Sequence, residues 1–234
     1  PVPHNPQCSF QSSYRCVLYA PTFRGNVFKS EQHIAILVVN KLIKFEINSL
    51  NAKRLKFIVA KNLQSVGSSA FSGATALTAV SANLRQVGQE SFKNCWNLQL
   101  INLENVKVIS KRAFENCYKL QNQRLKAAEI HEKAFKNCFS LSFVKATQLK
   151  KCEIDAFLNC NCLVETGLKA EVADATFTKD KSKNFDEMDQ FVKDSKSPED
   201  YLVNELKRGA KRVTLKMKTL RNQMLMQQLA QWMK

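Results

Sequence analysis

The chain has 234 residues, 44% of them hydrophobic and 24% charged, with only 6 Gly and 5 Pro. These values fit a folded protein with one sizeable core or two small ones, and they exclude low-complexity disorder and a collagen-type triple helix. The 36 Lys and Arg against 20 Asp and Glu leave +16 at pH 7, which bears on partners rather than on fold and favours acidic ones.

Residues 1–27 contain Pro1, Pro3, Pro6 and Pro21 and read as a cap or an irregular segment. Cys8 and Cys16 stand outside the pattern that follows and are candidates to pair with each other in an oxidising compartment. Because the chain opens on Pro1 rather than Met, the sequence leaves open whether it is a fragment or a processed product. The longest apolar run, Ile34 to Val39, falls far short of the roughly 20 residues a membrane-spanning helix needs.

A repeat dominates the middle of the chain. Small-residue-plus-Phe pairs recur at Phe71, Phe92, Phe114, Phe135, Phe157 and Phe177, in steps of 21, 22, 21, 22 and 20 residues. Cys95, Cys117, Cys138 and Cys160 follow three after the Phe, and Leu77, Leu98, Leu120, Leu141 and Leu163 six after it. Val66, Val87, Ile109, Ile130, Cys152 and Val172 precede it by five. A period in this range marks a solenoid, whose units bury their apolar faces only by stacking. Nine and eleven after the Phe, Val80 with Ala82, Ile101 with Leu103 and Val144 with Ala146 alternate as a short strand does. The stretch from Phe to Cys to Leu steps by three, which suits one turn of α or 3₁₀ helix. Coils of one strand and one short turn then build a parallel sheet.

The run Val87 to Leu103, V-G-x-x-S/A-F-x-N-C-x-x-L-x-x-I-x-L, resembles the leucine-rich repeats of the BspA-like family. The family's terminal Pro is absent here, and its Gly survives only at Gly67 and Gly88. The resemblance is specific over residues 63–177 and looser over 28–62, where Ile34, Leu37, Val39, Leu55, Ile58 and Ala60 keep the apolar columns. The expected fold is an α/β leucine-rich-repeat solenoid of about six to eight coils over 28–177, with parallel strands and short helical turns, plus a C-terminal α-helix.

Within the repeat, Asn94, Asn116, Asn137 and Asn159 fall two after the Phe and read as an amide ladder or as turn formers. The four in-register cysteines lie along a line instead of converging on a point, so they read as buried thiols. Cys152, Cys160 and Cys162 cluster more tightly but lack a fourth ligand, and no metal or cofactor is expected. His4, His33 and His131 are scattered, and no phosphate-binding loop, H-E-x-x-H or nucleophile elbow occurs. The expected function is therefore non-enzymatic.

Two stripes are candidate partner surfaces. Asn102, Arg124 and Lys145 stand ten after the Phe on the expected concave sheet face, with Glu104, Lys126 and Lys169 two further on. The family resemblance implies protein recognition by such faces, and the basic strip Arg124, Lys126, Lys145 and Lys169 would meet an acidic patch. Trp96, Tyr118 and Phe139 follow the Cys in three successive coils and are expected to stack along one exposed edge. The aromatic and basic columns belong to different faces, which argues against nucleic acid.

After Phe177 the repeat stops. Residues 178–197 read as a linker or a C-terminal cap, and Ser197-Pro198-Glu199-Asp200 as a helix start. Over 198–234, Val203, Leu206, Val213, Met217, Leu220 and Met224 form the seam of a strongly basic amphipathic helix. Self-association as a homo-oligomer, an acidic partner helix or groove, and peripheral contact with an anionic membrane surface remain open for it. Reduced thiols favour a cytoplasmic scaffold over a cell-surface or secreted adhesion-type repeat, which the resemblance also allows.

Overall fold

The computed structural model describes strand segments 8–12, 15–18 and 22–23, residues 35–46 and 53–160, the strand 163–166, and the isolated positions 200 and 204. The chain divides into two units, Pro1–Pro198 and Glu199–Lys234, and the repeat lies in the first. The expected elements over 178–197 and 198–234, and Lys169, lie outside the described residues apart from positions 200 and 204.

Each coil contributes two strands where the alternation predicts one. One set, of two to four residues each, is β2 (Arg15–Leu18), β4 (Ile36–Val38), β6 (Phe57–Ala60), β8 (Ala79–Ala82), β10 (Leu100–Ile101), β12 (Gln123–Arg124), β14 (Phe143–Ala146) and β16 (Leu163–Thr166). Between them come β3 (Thr22–Phe23), β5 (Lys44–Phe45), β7 (Ser65–Val66), β9 (Gln86–Val87), β11 (Val108–Ile109), β13 (Glu129–Ile130) and β15 (Lys151–Cys152). The short set forms one seven-stranded parallel ladder from β3 to β15. Its pairs place Phe45 beside Val66, Ile109 beside Val87 and Ile130 beside Cys152, so the column five before the Phe becomes a second wall of the core.

The first sheet begins with β1 (Cys8–Ser12), antiparallel to β2, and continues in parallel to β10. Since β2 pairs with β4 and β3 with β5, the ladder reaches back before residue 28. The sheet is interrupted between β10 and β12. There Gln123 takes the buried place that Val80, Ile101 and Val144 hold in other coils, and its Nε2 donates to the Gln121 carbonyl at 2.9 Å. A buried amide must find a partner, and here that partner lies in its own coil. Backbone bonds Gln121 N to Gln99 O and Lys126 N to Glu104 O still tie the two coils together.

The stretch around each Phe, expected as a short helical turn, is a chain of hydrogen-bonded turns, and no continuous helix occurs among the described residues. Residues two before and two after the Phe carry positive φ: Glu90 and Asn94, Arg112 and Asn116, Lys133 and Asn137, Asp155 and Asn159, all between 53° and 63°. Left-handed backbone turns alternate N–H groups along the stacking axis. Thus Glu90 N, Phe92 N and Asn94 N donate to carbonyls of Lys111, Ala113 and Glu115 in the next coil, at 3.1, 2.9 and 2.8 Å. The intervening Ser91, Lys93 and Cys95 N–H groups close local turns onto Gly88, Glu90 and Phe92. Each non-glycine left-handed residue costs roughly 1 kcal/mol, offset by a bond between coils that would otherwise be missing.

The core follows the sequence columns. Phe71, Phe92, Phe114, Phe135 and Phe157 are fully buried and stack at 5.2 to 5.4 Å between successive rings. The cysteine and leucine columns close the core around them.

Candidate functional site

The aromatic column emerges on the surface as a stack. Trp96 lies 6.2 Å from Tyr118, and Tyr118 5.4 Å from Phe139, with planes inclined by 17° and 15°. Trp96 is 47% exposed and Phe139 60%, whereas the stacked Phe rings of the core are buried. The difference arises one residue away. Cys95, Cys117 and Cys138 point inward, each thiol donating to the carbonyl of a Phe in a preceding coil, and the next side chain is turned outward. Beside the rings, Lys119 donates to Asn97 Oδ1 at 2.7 Å.

Burial pushes the Cys117 and Cys138 thiols well above their ordinary range. They are free and enclosed, which gives them the packing role of small apolar groups. No cluster of His, Cys, Asp or Glu suited to a metal ion occurs among the described residues.

The first sheet's outward columns show a gradient. Ten after the Phe, Ser81 is followed by Asn102, Arg124 and Lys145, and before it stand Val38 and Val59. Asn102 Oδ1 accepts from the Glu104 N–H at 2.9 Å, and Glu104 pairs with Lys126 at 3.0 Å. Arg124 and Lys145 are half-buried and adjacent in register across β12 and β14, with Glu165 next in line. The structure therefore brings Asn102, Glu104, Arg124, Lys126 and Lys145 onto one region, with part of its charge already compensated. The assembly-helix positions Val203, Leu206, Val213, Met217, Leu220 and Met224 lie outside the described residues.

One column escaped the sequence reading. In register with the position eight after the Phe stand Ile36, Phe57, Ala79, Leu100, the polar Asn122 and Phe143, on the same outward face as the previous set, and Phe57, Ala79 and Phe143 are buried there. The signal was present in the sequence as a further apolar position in the repeat.

The turn face holds an ionic network between coils. Glu132 accepts from Lys111 at 2.7 Å and from Lys133 at 2.8 Å, which draws its carboxyl down to about 2. Glu153 is held at about 2 by Lys151, the Glu132 N–H and His131. His131 thus serves as a linking turn residue between Glu129 and Glu153.

Two parallel ladders, a wall of left-handed turns and a single stacked core define a leucine-rich-repeat solenoid. The chain belongs to the BspA-type leucine-rich repeat family, whose model matches residues 43–164 in six copies. Similar folds include a leucine-rich repeat protein from Eubacterium ventriosum, with 21% identity over 64% of this chain and a TM-score of 0.55. A leucine rich cell surface protein from Faecalibacterium prausnitzii shares 16% identity over 71% of this chain, with a TM-score of 0.54. The chain spans 43% and 56% of the lengths of those two proteins. No curated protein sequence matches it.

Proposed function

We propose that this chain is a non-enzymatic protein-recognition module whose partner is engaged by the aromatic edge Trp96, Tyr118 and Phe139. The observation that carries this reading is the outward stacking of three rings on successive coils, two of them about half exposed or more. Aromatic side chains offer large contact area at low entropic cost and dominate binding hot spots. The sheet region of Asn102, Glu104, Arg124, Lys126 and Lys145 is a second surface, polar and cationic, suited to an acidic patch. The basic segment 198–234 is assigned to assembly, either with an acidic helix or with a second copy.

The experiment is affinity capture from source-cell extract with the parent and with Trp96→Ala/Tyr118→Ala/Phe139→Ala. The expected result is loss of the specifically bound proteins in the triple variant while it remains folded at the assay temperature. Unchanged capture would overturn the assignment.

A second reading, an adhesion-type repeat at the cell surface, draws on the likeness to the leucine rich cell surface protein of Faecalibacterium prausnitzii. Antibody labelling of intact against permeabilised cells separates the two readings. Signal on intact cells supports the surface role, and signal only after permeabilisation supports a scaffold inside the cell.

A further inference from the structure

The second sheet carries a groove that neither surface above uses. Four before each Phe the repeat runs Gly67, Gly88, Ser110, His131 and Glu153, with Glu46 in the corresponding place after β5. A Cβ on Gly88 would fall 2.6 Å from the carbonyl carbon of Gly67, so close stacking of these two coils requires glycine. Its by-product is a stretch over β7 and β9 where no side chain from this column covers the sheet. From His131 onward the column is filled, as His131 and Glu153 bond each other at 3.0 Å. The uncovered stretch is a groove of about 560 Å³ running from Lys44 and Glu46 to Val108 and Ser110.

Two of its three cations have no ion pair among the described residues. Lys44, Arg85 and Lys107 line it with Glu46 as the single carboxylate, and Lys44 already pairs with Glu46 at 3.3 Å. Arg85 and Lys107 are exposed and make no ion pair among the described residues. In the next coil the place of Arg85 and Lys107, seven before the Phe, is taken by Ala128, whose N–H donates to the Lys107 carbonyl at 2.9 Å, so the pair of cations ends there. Val108, 38% exposed, adds an apolar spot beside these cations. The groove crosses the four coils of β5, β7, β9 and β11, or roughly 14 Å at about 4.8 Å per coil, the length of about four extended residues.

We propose that this groove binds an extended acidic segment of a partner protein, with carboxylates against Arg85 and Lys107 and an apolar side chain against Val108. The exposed valine favours a peptide over a sulfated polysaccharide, which has no apolar side chain to place there. The proposal rests on the chain being a protein-recognition scaffold, but it uses a different sheet from the aromatic edge. The Trp96, Tyr118 and Phe139 variants and the groove variants therefore fail separately.

The test is fluorescence anisotropy of a fluorescein-labelled Glu-Glu-Val-Glu-Glu-Val-Glu peptide with the full chain. Arg85→Glu/Lys107→Glu is compared with the parent and with Lys61→Glu/Lys150→Glu, an equal charge change at exposed positions outside the groove. Binding is expected to weaken about tenfold or more in the groove pair and to stay within about twofold in the control pair. Arg85→Gln/Lys107→Gln serves if the reversal lowers the melting temperature. Equal weakening in both pairs would reduce the effect to net charge and overturn the site, as would no saturable binding below about 1 mM. Tighter, groove-dependent binding of a labelled sulfated oligosaccharide would overturn the peptide assignment.

Discussion

Asn116 donates from Nδ2 to Oδ1 of Asn94 at 2.7 Å, and both residues hold left-handed backbone, at φ 63° and 60°. Asn137 and Asn159 extend the same amide chain by two more bonds of 2.7 Å. Asparagine here performs two tasks at once. It tolerates the left-handed turn that aims its N–H at the next coil, and its side chain links to the coil before.

Replacing Asn116 separates those tasks. Asn116→Ala loses an amide donor and an amide acceptor and places Ala in a left-handed backbone, for about 2 to 4 kcal/mol of lost stability. Asn116→Gly keeps the backbone and is expected to lose about half as much. Urea unfolding of both variants measures the difference, and equal losses would contradict the backbone part of the account.

The buried and exposed ring stacks run along the same coils but contribute very differently to stability. Phe114→Ala opens a cavity between Phe92 and Phe135 and is expected to cost about 3 to 5 kcal/mol. Phe139→Ala, at an exposed position, is expected to cost less than about 1 kcal/mol. Comparable losses at both sites would mean that the edge is part of the core.

Ser91 is fully buried where Ala70, Ala113, Ala134 and Ala156 stand in other coils, and its Oγ has no hydrogen-bond partner. Ser91→Ala removes that unpaired hydroxyl without changing the packing shape. It is expected to raise stability by about 1 kcal/mol. A destabilised Ser91→Ala protein would show that the hydroxyl is paired in solution.

Acid should loosen the ionic network. The Glu153 carboxyl is depressed from an ordinary 4.5 to about 2, chiefly by Lys151 and then by the Glu132 N–H. A depressed carboxylate contributes stability that is fully present above pH 4.5 and lost as pH falls through about 2. The melting temperature of the parent should fall across that window, and Glu153→Gln should flatten the fall. Parallel curves for the two proteins would remove Glu153 from the explanation.

The repeat period and the Phe, Cys and Leu columns could be read directly, because large apolar side chains at fixed spacing have few ways to be buried. The second sheet could not. Its strands are two residues long and offer one inward residue each, as Val66 and Val87 do, which leaves no alternation to detect. The left-handed positions held by Glu90, Arg112 and Lys133 carry no compositional mark either, since the need for positive φ arises only when neighbouring coils stack. The expected exposed rings were legible because they sit one residue from an inward cysteine. The groove over Gly67 and Gly88 was not, since it depends on the contact between two backbones.

The most direct test of the recognition claim places the photo-crosslinker benzoylphenylalanine at position 139 or at position 154, followed by irradiation in source-cell extract. Ile154 is 69% exposed and is not part of the aromatic edge, so it controls for exposed apolar surface. A discrete protein adduct is expected at 139, competed away by excess parent protein, and none at 154. The same adducts at both positions, or none at 139, would contradict that claim.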